Sequence, residues 1–116
     1  MPSFGQAFEG LHCDRKLTNE ELVRAIRFMV AAEYEAVQLY QQLAESTDNV
    51  MIQKALREIA NDERVHAGCF LRLLNAINPE EQSYYDAGAK EMEEEFIADA
   101  APRDLKIVKD EVCKSH

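Results

Sequence analysis

Val50-Met-Ile-Gln-Lys-Ala-Leu-Arg-Glu-Ile-Ala-Asn-Asp-Glu-Arg-Val-His-Ala-Gly-Cys-Phe-Leu-Arg-Leu-Leu-Asn-Ala-Ile77 is a long helical pattern without a proline. Within it Ile52, Leu56, Ile59, Glu63, His66, Phe70, Leu73 and Ile77 recur in alternating steps of four and three. That spacing places a row of side chains along one side of an α-helix, and here it predicts an inward-facing seam. Two positions of the seam, Glu63 and His66, are ionisable.

The preceding stretch repeats the pattern. Leu22, Ile26, Met29, Glu33, Ala36, Tyr40 and Leu43 form a seam interrupted by one carboxylate, Glu33. A helix over Thr18 to about Ser46 is expected, because the Thr18 hydroxyl and Glu21 three residues on have the order of a capping box. The polar run Ser46-Thr-Asp-Asn49 gives a short turn into the second helix. That helix stops at Asn78-Pro79, since proline disfavours a helical residue before it. Asn78 is also suited to cap a third helix, with Pro79 at its first position and Glu80 and Glu81 at the positive end of its dipole. This helix is expected to reach about Asp99, weakened by Gly88, with Ala101-Pro102 ending it. The sequence therefore predicts an all-α chain: an irregular arm over 1–17, a helical domain over 18–99 built from an antiparallel two-helix hairpin plus a shorter third helix, and a tail over 100–116.

Hairpin geometry relates the three ionisable groups. With the turn centred near Asp48, Glu33 lies fifteen residues before it and Glu63 fifteen after. At about 1.5 Å rise per residue both stand roughly 22 Å from the turn, at matching heights. His66 follows Glu63 by three and projects from the same face. Burying an unpaired carboxylate costs several kcal/mol, so such groups are protonated, paired with a cation, or bound to metal. The plainer alternative is a core histidine paired with Glu63 or Glu33. A carboxylate-bridged di-metal centre in a four-helix bundle takes one Glu from each of two helices and a Glu-x-x-His from each of the other two. This chain holds half of that set, so a second copy would complete it in a dimeric four-helix bundle. Oxygen donors with an imidazole suit iron or manganese, with zinc as a further candidate.

Composition agrees. With 116 residues there is room for one small domain, and a net charge of -9 favours cations over nucleic acid or an anionic membrane. Cys13, Cys69 and Cys113 are widely spaced and lack a Cys-x-x-Cys pair, which excludes an iron knuckle or zinc ribbon built from this chain alone. An odd cysteine count, no secretory leader pattern and no membrane-length apolar run predict a cytosolic protein. Phe28, Val30, Ala31, Val37 and Leu39 lie off the first seam. A hairpin cannot bury apolar residues around so much of one helix, so a larger oligomer is expected.

Over Thr18 to about Glu95 the chain resembles the encapsulated ferritins, short two-helix relatives of ferritin and rubrerythrin that are packaged in encapsulin shells. The resemblance rests on Glu33-Tyr-Glu-Ala-Val-Gln-Leu-Tyr40 and Asn61-Asp-Glu-Arg-Val-His66. It implies a homodimer, a ring-shaped decamer of five dimers, and ferroxidase activity in which dioxygen oxidises Fe(II) at a di-iron centre between subunits. It further implies that Glu33, Glu63 and His66 of each copy bind the irons, with Tyr40 beside them. Glu35 corresponds to an iron uptake site near the centre, although the partner glutamate found three residues earlier in some members is Ala32 here. Residence in a cytoplasmic encapsulin nanocompartment is implied as well, with Leu105-Lys-Ile-Val108 as the candidate segment for docking on the shell. Two other readings use the same residues: a rubrerythrin-like peroxidase fed by an external electron donor, and a non-catalytic helical assembly protein locked by its metal.

Overall fold

The computed structural model describes residues 15–106. Helix α1 spans Asn19–Glu45 and α2 spans Val50–Ile77. At the start of α1 the Thr18 hydroxyl accepts from the Glu21 amide at 3.2 Å, while the Glu21 carboxylate accepts from the Thr18 amide at 2.9 Å. The capping box of the sequence is thus complete. Asn49 caps α2, its side-chain oxygen accepting from the Ile52 amide at 3.1 Å. No helix among the described residues is long and apolar enough to cross a membrane.

Arg15 clasps Glu21 with two guanidinium hydrogen bonds of 2.8 and 2.9 Å. Bonding to Arg15 first, and to the Thr18 amide second, holds the Glu21 carboxyl down at about 2. Unfolded glutamates titrate near about 4.3, so this contribution to stability is complete above that pH and is lost as pH falls towards 2. A carboxyl NMR titration is expected to place the Glu21 midpoint near about 2, moving upward in Arg15→Ala.

The two long helices pack through a seven-residue repeat. The buried apolar residues are Val30, Val37 and Ala44 on α1, and Ala60, Ala67 and Leu74 on α2. Antiparallel register sets Val30 against Ala67, Val37 against Ala60 and Val23 against Leu74. Alanine at three of these positions lets the backbones approach closely. Next to this row runs a half-buried one containing Ile26, Glu33 and Tyr40 opposite Phe70, Glu63 and Leu56. Beyond it lies an edge made by Leu22, Met29, Ala36 and Leu43 opposite Leu73, His66, Ile59 and Ile52. On that edge Leu22, Leu43, Ile52, Ile59 and Leu73 remain 39% to 52% exposed.

This corrects the seam expected from periodicity. That seam combined the half-buried row with the outer edge, whereas the tightest contact uses Val30 and Val37, which were placed off it. All three rows on α1 are largely apolar, so spacing alone could not rank them. Leu74 is 1% exposed at the end of the tight row on α2 and is the largest fully buried side chain among the described residues. Leu74→Ala is therefore expected to cost about 2–5 kcal/mol, read from urea unfolding at fixed protein concentration.

Asn78 ends α2, and its side-chain amide donates to Glu81 at 3.3 Å. Its backbone carbonyl accepts from the Glu81 amide at 3.0 Å. The buried Glu81 carboxylate also pairs with the Arg27 guanidinium from α1. The chain divides into two compact units after Glu81. The second contains most of α3, Glu80–Met92, followed by a π-helical turn over Glu93–Ile97 and a 3-10 turn over Pro102–Asp104. Helix α3 continues through Gly88, and the change of pitch comes in the glutamate run Glu93-Glu-Glu95. His12, Cys13, Ile107, Val108 and Cys113 lie outside the described residues, as do most of the expected arm and tail.

Candidate metal centre

Glu33 on α1 and Glu63 with His66 on α2 each offer a ligand atom within 4.8 Å of the others. The height match predicted from the turn explains why Glu33 meets Glu63. Helical spacing explains His66, whose Nδ1 lies 3.6 Å from a Glu63 oxygen. Glu33 and Glu63 are half-buried, whereas His66 is exposed, contrary to its expected inward position. The reason is its place on the outer edge, one row away from the two carboxylates.

Glu33 Oε2 is buried and accepts no hydrogen bond. Its neighbours in the group are His66 and a second carboxylate, Glu63, itself an acceptor unless protonated. A proton shared with Glu63, then burial, then repulsion by Glu63 push the Glu33 carboxyl above its ordinary range, while His66 acts weakly in the opposite direction. A cation between the carboxylates satisfies the same pair without a proton. The donor set is hard and anionic with one imidazole, which fits iron or manganese. An orphaned oxygen facing another acceptor is one that either a proton or a cation would satisfy.

Tyr40 is half-buried in the same row as Glu33, two turns further along. Glu35 is exposed and outside the converging group, because two residues along a helix carry it well around from Glu33. Cys69 is free and exposed. The Arg27–Glu81 pair went unrecognised in the sequence, since partners 54 residues apart leave no local signal.

Three comparisons bear on this geometry. The Rubrerythrin family profile matches residues 20–112. Among curated proteins, the ferritin-like-encapsulin shell fusion protein of Pyrococcus furiosus is 33% identical over 81 residues, 70% of this chain and 24% of that protein. The encapsulin nanocompartment cargo protein EncC of Myxococcus xanthus is 35% identical over 82 residues, 71% of this chain and 60% of the relative. The chain thus spans only about a quarter of the first relative and about 60% of the second. Among solved structures, the encapsulated ferritin domain from Pyrococcus furiosus superposes with a TM-score of 0.72 at 31% identity, covering 78% of this chain and 93% of that one.

Proposed function

The chain belongs to the Rubrerythrin family of ferritin-like helical proteins, and from that premise we propose that it is a ferroxidase whose iron site is shared between two copies. The observation that carries this reading is the orphaned, buried Glu33 oxygen beside Glu63 on a hairpin that provides only half of a di-metal ligand set. The exposed apolar edge next to it supports the second half coming from another copy. Pairing two hairpins through that edge buries Leu22, Leu43, Ile52, Ile59 and Leu73 and brings two donor trios together.

In this reading Glu33, Glu63 and His66 of each copy hold Fe(II) as substrate. Carboxylates are hard donors that favour Fe(III) over Fe(II), which promotes transfer of an electron from each iron to dioxygen. The apolar edge excludes bulk water once covered. Tyr40, in the carboxylate row, is positioned to hydrogen-bond a ligand carboxylate. Glu35 acts, if at all, on the approach of iron, outside the binding trio. Residence in an encapsulin shell within the cytoplasm is part of the proposal, supported by the names of the two curated relatives, and assembly into a ring is proposed with it from the family resemblance alone.

Anaerobic loading with Fe(II), followed by native mass measurement, tests the shared site. Two irons per dimer are expected, with loss of both in His66→Ala. Full iron stoichiometry on an isolated single chain would overturn the sharing.

A further inference from the structure

Met29 lies on α1 in the edge row next to the row of Glu33, level with His66 by the antiparallel register that brings Glu33 to Glu63. Met29 is also one turn before Glu33 on α1, where neighbouring side chains stand about 5–6 Å apart at Cβ. It is half-buried, while Met51 is 73% exposed and Met92 is 46% exposed. A thioether reacts with peroxide and becomes a polar sulfoxide. Bulk peroxide reaches exposed methionines first, so an oxidant formed beside Glu33 and Glu63 would produce the opposite order.

We propose that Met29 is a sulfoxidation site for hydrogen peroxide produced at the Glu33, Glu63 and His66 centre. This rests on the iron-oxidation reading above. Two Fe(II) each lose one electron, and dioxygen gains two electrons and two protons to give hydrogen peroxide. A lone pair on Met29 Sδ attacks one peroxide oxygen, the O–O bond breaks, an S–O bond forms, and the other oxygen leaves as water with both hydrogens. The thioether is oxidised by two electrons and the peroxide is reduced by two. Sulfoxide on the outer edge makes an apolar position polar, and so links oxidant released at the centre to weaker pairing of copies.

The test loads the full chain with Fe(II) anaerobically, admits oxygen with catalase present, and measures sulfoxide at each methionine by peptide mass spectrometry. Met29 sulfoxide is expected to exceed Met51 sulfoxide by about fivefold or more, and to fall to the Met51 level in Glu33→Gln. In apo protein treated with added peroxide, Met51 is expected to lead. If iron is oxidised while Met29 is favoured in neither condition, or is equally oxidised in Glu33→Gln, this inference fails and the ferroxidase reading stands. If iron is not oxidised at all, both fail.

Discussion

Glu33→Gln is expected to lower the rate of Fe(II) oxidation by about a hundredfold or more while leaving the paired copies intact. Changes in the shell around metal ligands typically cost about 10–100-fold, and this one removes a ligand charge itself. Glutamine keeps the shape of the side chain, so packing between Ile26 and Tyr40 is retained. Its amide can also donate to the Glu63 carboxylate, replacing two opposed acceptors by a hydrogen bond. The apo protein should therefore unfold at an equal or higher temperature than the parent, and the extra stability conferred by metal should shrink, because ligand binding stabilises only in proportion to affinity for the folded state. This combination distinguishes a metal site from a structural carboxylate. Oxidation at the parental rate would remove Glu33 from the chemistry. Loss of the paired state together with activity would instead favour a metal that only locks the assembly.

The opposite directions of those two effects also show why part of the site was legible in the sequence. A carboxylate within an apolar repeat is costly unless something compensates it, so Glu33 and Glu63 stood out before any coordinates. Equal spacing from Asp48 then placed them together. The helix starts were readable for the same kind of reason, since Thr18, Glu21 and Asn49 act over three residues. The packing face was not readable. On α1 the rows led by Val30, Ile26 and Leu22 are all apolar, and periodicity reports direction around a helix without saying whether the neighbour is the same chain or another. His66 was consequently assigned an interior position that a single hairpin does not provide. Pairing between Arg27 and Glu81 depends on how the chain folds back, which residue types alone do not encode.

Leu73→Glu is expected to separate the copies and abolish iron oxidation without altering any metal donor. Leu73 is 52% exposed on the outer edge, one seven-residue repeat from His66 and two from Ile59 on the same row. If a second copy covers that row, two-fold pairing buries the new carboxylate twice. Even about 4 kcal/mol of unpaired-charge cost then weakens pairing by about a thousandfold. Val65 provides the control: it is 65% exposed on the side of α2 turned away from the buried Ala67 row, so Val65→Glu should keep both pairing and oxidation. Sedimentation gives the oligomeric state, and iron oxidation gives the activity. A Leu73→Glu protein that remains paired would move the interface to another face. A single-chain Leu73→Glu protein that still oxidises iron at the parental rate would show that one trio of Glu33, Glu63 and His66 is sufficient, and the shared centre would have to be abandoned.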